Sequence, residues 1–177
     1  MKKKKPVILV TNDDGITAPG IRALVEAVKG FGTILIVSPD SPQSGMGHAI
    51  TVNEPLRLYP SKEYGKLESY ACSGTPVDCV KLGIYEILKY SPDLIVSGIN
   101  HGSNVSTNVL YSGTMSAAVE GALEGIPSIG FSFTDYSMTA DFSAAQKVVK
   151  SIVKEVLEKG MPDRKSTRLN SSHLVIS

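Results

Sequence analysis

Asp13 and Asp14 close a run, Val7-Ile8-Leu9-Val10-Thr11-Asn12-Asp13-Asp14-Gly15, that passes from apolar to acidic within a few residues. Adjacent carboxylates repel unless something offsets their charge, and a hard divalent cation does so while preferring oxygen ligands. Asn-Asp-Asp-Gly is also good turn chemistry, its Asx side chains bonding nearby backbone, so the pair alone leaves both readings open. Ser44 and Asn100, in two later polar stretches, have the oxygen atoms to complete a cation shell. Taken singly, each reads equally as an exposed serine and a loop-capping asparagine.

Ser112-Gly113-Thr114 follows a long polar stretch and opens a helix. Backbone N–H groups and the helix dipole there make an anion site, with two hydroxyls as further donors; plain N-capping is the alternative. An anion site facing a carboxylate-held metal suits phosphate-ester hydrolysis, because the metal polarises a phosphoryl oxygen and lowers the pKa of bound water. His101, beside Asn100, is a candidate proton donor to the leaving oxygen. His48 lies in the neighbouring loop region.

These groups need a frame that brings them together. Short apolar runs alternate with amphipathic stretches, which predicts βαβ units and a mostly parallel sheet. Val7–Val10, Ile34–Val37, Leu94–Val96 and Ile126–Phe133 read as strands. Pro19 to Val28, Thr75 to Leu88, Thr114 to Glu124 and Phe142 to Lys159 read as helices. Thr75-Pro76-Val77-Asp78 supplies an N-cap, a first-turn proline and an acidic third position. Ala49 to Ser73 predicts an antiparallel excursion, and Gly98 to Gly113 a long functional loop. Asn12–Gly15, Ser38–Gly47 and Gly98–Asn104 each follow a predicted strand. They therefore converge on one sheet edge, where open parallel sheets bind ligands.

The 177 residues suit one α/β domain, and 42% hydrophobic with 20% charged residues is ordinary for a globular protein. A net charge of +1 gives no field that would recruit nucleic acid. Lys2 to Lys5 reads as a solvated tail. The apolar run after it is too short for a secretory signal, and no stretch reaches membrane-spanning length. The expected location is therefore the cytoplasm, with Cys72 and Cys79 reduced and packed as small apolar residues.

The motif Val7 to Gly15 with Pro19-Gly20-Ile21, then Pro39-Asp40 with Ser44-Gly45, resembles the SurE survival proteins. So do Ser73 to Val80, Ser97 to Asn104, and Tyr111-Ser112-Gly113-Thr114. The resemblance covers Val7 to Met161 in collinear order. It implies a Rossmann-like three-layer αβα fold and a 5′/3′-nucleotidase. Such an enzyme hydrolyses nucleoside monophosphates to nucleoside and phosphate with a metal-activated water and a magnesium or manganese ion. It implies metal ligands at Asp13, Asp14, Ser44 and Asn100. Substrate contacts fall at Asn104, Ser112, Gly113 and Thr114, with Asn12 added beside the acidic pair. Dimers or tetramers are implied, with neither nucleic acid nor membrane as partner.

The resemblance stops near Met161. Residues 1–162 are expected to form the nucleotidase domain, incomplete at its C-terminus, and 163–177 a disordered tail unlike the family. Two rival readings follow. One is an aspartyl-phosphate-forming phosphatase, whose pattern wants two aspartates one residue apart. The other is a non-catalytic fragment that binds phosphate or nucleotide without turnover.

Overall fold

The computed structural model describes residues 5–102, 104, 106–135, 137, 140–161 and 171–176, the last segment and residue 106 by backbone only. A seven-stranded sheet runs through it in the order β3-β4-β2-β1-β5-β6-β7. The first strand, β1 (Val7–Thr11), is buried along its whole length and sits between β2 (Thr33–Pro39) and β5 (Leu94–His101), parallel to both. Its aliphatic run therefore has two faces to fill, as buried parallel strands do. Ile8 and Val10 enter one core with Ile34, Ile36, Leu94 and Val96, while Leu9 enters the other with Leu35, Val37 and Ile95.

Among the described residues, four α-helices cover the two faces. Helices α1 (Pro19–Val28) and α4 (Ser143–Lys159) pack against the first core, burying Ile21, Leu24, Val28, Val149 and Val153. Helices α2 (Pro76–Leu82) and α3 (Gly113–Leu123) lie on the other face, where Cys79, Val80 and Ala117 are fully buried. The helix start read at Thr75 is a full capping box: Thr75 Oγ1 accepts from the Asp78 amide, and the Asp78 carboxylate accepts from the Thr75 amide. Beyond Leu82 the helix widens into a π turn, Gly83–Leu88, closed by Lys89 in the left-handed region. Cys72 and Cys79 are free and buried.

The excursion after β2 is only partly a hairpin. Strand β3 (Leu58–Pro60) pairs antiparallel with β4 (Glu68–Cys72), and β4 returns parallel to β2. The expected strand near Ile50 and Val52 is instead loop. The Thr51 amide and hydroxyl bond the Asp78 carboxylate, which replaces a ladder, and Ile50 and Val52 stay exposed.

Strand β5 continues through Gly98 to His101, where the sequence predicts loop. Its pairing with β6 (Ser128–Phe133) slips between Ser97 and Asn100. The slip is possible because Gly98 has a φ of 122° and lies so close to β6 that a Cβ would sit 2.3 Å from the Phe131 carbonyl oxygen. The Gly98–Ile99 peptide is cis. A 3-10 helix, Ser106–Tyr111, then leads into α3.

The segment 163–177 also departs from the expected disorder in its last part. Ser171–Ile176 forms β7, parallel to β6 and in register from Ser128↔Ser171 to Phe133↔Ile176. That pairing satisfies the outer backbone edge of β6, which a bare edge leaves open. Residues 163–170 and 177 lie outside the described residues.

Candidate active site

From β1 the chain steps to β2 and β4 on one side, and later to β5 and β6 on the other. The order therefore reverses between β1 and β5, and their carboxyl ends open the crevice where such sheets bind ligands. A cleft of about 260 Å³ lies there, lined by Asp13, Asp14, Ser44, Gly45, Asn100, His101, Gly102, Asn104, Asn108, Tyr111 and Ser112. Side chains from the loops after β1 and β2, the end of β5 and the start of α3 thus meet in one place.

Asp13 is buried, and Thr114 Oγ1 donates to its Oδ1 over 2.6 Å. Burial pushes its carboxyl above the ordinary range, opposed by the Thr114 hydroxyl and by the amides of Thr114 and Gly113. The start of α3 therefore serves first as the anion site for the protein's own carboxylate. Only glycine fits at 113: a Cβ would sit 2.6 Å from Asp13 Cβ and 3.0 Å from Oδ2. Gly113 and Thr114, read from the sequence as phosphate contacts, stand behind Asp13 rather than on the cleft wall.

Asp14 is half-buried, and its carboxyl is pushed up to about 6 by burial and then by the charge of Asp13; His101 pulls the other way. Its Oδ2 is buried without a hydrogen-bond partner. Asn100 donates Nδ2 to the carbonyls of His101 and Gly102, at 3.2 and 3.0 Å, which leaves Oδ1 as its ligand atom. Ser44 is exposed on the β2 loop, which is fixed by the Gln43 amide donating to the Asp13 carbonyl over 2.7 Å.

These oxygens suit a hard divalent cation. An orphaned carboxylate oxygen with a raised pKa is what a missing positive charge leaves behind, and the other donors are neutral oxygens. No group of three or more His, Cys, Asp or Glu side chains that could hold a metal occurs among the described residues. A cation here would accordingly rest on the acidic pair together with Ser44 and Asn100.

On the opposite wall Ser112 caps α3, its Oγ accepting from the Met115 amide at 3.2 Å, so its own proton is left to donate. Asn104 is held by Nδ2 donating to Ser132 Oγ at 2.9 Å. His101 lines the cleft, but its Nε2 is buried without a partner and its ring meets Phe142 edge-on at 5.0 Å. Asn12 is not in the wall. Its Nδ2 donates to the Gly15 carbonyl and its Oδ1 accepts from Ser38, so it fixes the turn that carries the acidic pair. Asn108 and Tyr111 were missed by the sequence reading; they enter because the 3-10 helix turns back along the cleft.

Fold and site together define an open, doubly wound α/β protein with an acidic, oxygen-rich crevice at its switch point. The family model described as "Survival protein SurE" matches residues 8–174, and the chain belongs to that family. It is 63% identical over 164 residues to the 5'-nucleotidase SurE of Christiangramia forsetii, covering 92% of this chain and 63% of that protein. The Flavobacterium psychrophilum 5'-nucleotidase SurE is 62% identical over 160 residues, covering 90% of this chain and 62% of the relative. The crystal structure of SurE from Aquifex aeolicus superposes with a TM-score of 0.80 at 44% identity, over 89% of this chain and 62% of that one. The chain thus spans less than two thirds of the length of these relatives. No helix among the described residues is long and apolar enough to cross a membrane.

Proposed function

We propose that the chain carries the active site of a metal-dependent phosphomonoesterase that hydrolyses nucleoside monophosphates. The observation that carries the reading is the acidic pair at the switch point, with one buried carboxylate oxygen of Asp14 lacking a protein partner. The relatives named as 5'-nucleotidases support the substrate class.

Asp13, Asp14, Ser44 and Asn100 would hold a magnesium or manganese ion. Such an ion supplies charge against the phosphoryl oxygens and a water of lowered pKa. Thr114 and the amides at the start of α3 orient Asp13 and favour its charged form against the effect of burial. Ser112 donates its hydroxyl proton to a phosphoryl oxygen, and Asn104 flanks the same wall. Hydrolysis adds water across the ester: the P–O bond to the nucleoside breaks, and the leaving oxygen takes a proton. His101 lines the site beside Asp14 rather than supplying that proton, since its Nε2 is closed off from solvent.

Release of inorganic phosphate from AMP, with manganese and then with chelator, tests the reading. The expected outcome is turnover that chelation abolishes and that falls about a hundred- to a thousandfold in Asp13→Asn, the scale expected when a principal electrostatic group is removed. Equal turnover by the variant overturns the assignment.

A further inference from the structure

Glu120 has no part in the mechanism above, yet it is a carboxylate buried on a helix otherwise chosen for small side chains. Such a group is retained in an interior only when its charge is matched. Lys81 Nζ lies 2.5 Å from Oε1, and His48 Nε2 lies 3.1 Å from Oε2. Lys81 joins α2 to α3 and explains the charge. His48 comes from the loop after β2, four residues beyond Ser44.

That loop touches the site at three points. The Gln43 amide bonds the Asp13 carbonyl, the Gly47 amide bonds the Tyr111 carbonyl at 3.3 Å, and His48 meets Glu120. Ser44 lies between the first two. The third is a side-chain anchor from the half of the loop that carries Ser44, beyond which Ala49 and Thr51 are tied to α2 through Thr75 and Asp78, and it ends on the same helix whose first turn grips Asp13. Thr114 and Glu120 are six residues apart, about 9 Å along α3. One rigid element thus fixes one carboxylate at its start and the Ser44 loop about two turns later.

We propose that Glu120 and His48 form a latch that positions the Ser44 loop over the acidic pair, which makes both of them positioning residues. Lys81 holds Glu120 in place from the opposite carboxylate oxygen. The consequence for cation binding rests on the proposed function; the latch itself rests on the loop geometry.

The test compares wild type, His48→Ala and His48→Gln by amide exchange and by manganese titration without substrate. A glutamine amide can still donate to Glu120 where alanine cannot. In His48→Ala the amides of Gln43, Met46 and Gly47 should exchange about tenfold faster, and manganese affinity should fall about tenfold. Both should return in His48→Gln, with the melting temperature nearly constant, because His48 is more than a third exposed. Unchanged exchange in His48→Ala overturns the latch, and so does faster exchange that leaves manganese affinity intact. Failure of the wild type to bind manganese would instead refute the cation site, with the exchange rates still deciding the latch.

Discussion

Thr114 Oγ1 donates to Asp13 Oδ1 over 2.6 Å, across 101 residues of sequence. The contact turns the start of α3 toward β1, so a helix terminus that looks suited to an external anion holds a carboxylate of the site itself. The proposed cation and substrate sites share this element: the helix that presents Ser112 to the cleft also sets the orientation of Asp13.

Thr114→Val keeps the shape of the side chain and removes the donor. A hydrogen bond to a charged group is worth about 1.5–3 kcal/mol, so kcat/KM for AMP should fall roughly 10- to 100-fold. Thr114→Ser should stay near wild type. Wild-type kinetics in the valine variant would show that the bond does not matter to the site.

At an exposed helix position Gly→Ala stabilises by about 1 kcal/mol. At Gly113 the sign should reverse, because the new methyl falls 2.6 Å from Asp13 Cβ. Overpacking of this kind costs about 1–3 kcal/mol. The melting temperature of Gly113→Ala should drop and manganese affinity should drop with it. Stabilisation on substitution would contradict the close approach described.

The acidic pair should also set a pH dependence in metal-free protein. The Asp14 carboxyl is raised from 3.8 to about 6, so between these values the folded state holds more protons than the unfolded one. Stability from this group is therefore greatest below about pH 4, declines as pH rises toward 6, and stays low above that. Urea midpoints at pH 5 and pH 7 should show the decline in wild type. It should be smaller in Asp14→Asn, and added manganese should suppress it in wild type alone. A midpoint for wild type that rises from pH 5 to pH 7 while Asp14→Asn stays level would contradict the sign.

His101→Asn should lower turnover about tenfold or less and leave the basic limb of the pH–rate profile in place. A histidine that protonates the leaving group would remove that limb when replaced. The expectation follows from the closed-off Nε2 and the edge-on Phe142 ring.

Much of this frame can be read from local pattern. The β1, β2 and α1 segments carry unbroken apolar or 3.6-periodic runs, and Thr75 to Asp78 spells out its own capping box. Asp13, Asp14, Ser44 and Asn100 share a cleft because parallel topology carries their loops to one edge. What stayed hidden depends on distant partners. Nothing near Thr114 says that its hydroxyl turns inward to Asp13, nor near Asn12 that both ends of its amide are engaged by Gly15 and Ser38. Glu120 has the local look of a solvated helix residue until Lys81 and His48 close over it. The extension of β5 through His101 was obscured by Gly98, a residue that reads as a loop signal and here permits a bulge.

Asp13 and Asp14, with Ser44 and Asn100, are proposed to form one cation site at the switch point. Electron paramagnetic resonance of free manganese during titration measures it directly, without substrate. One ion should bind per chain, with binding lost in Asp14→Asn and weakened in Ser44→Ala and Asn100→Ala. Equal binding by wild type and by the Asp13→Asn/Asp14→Asn double variant would contradict it.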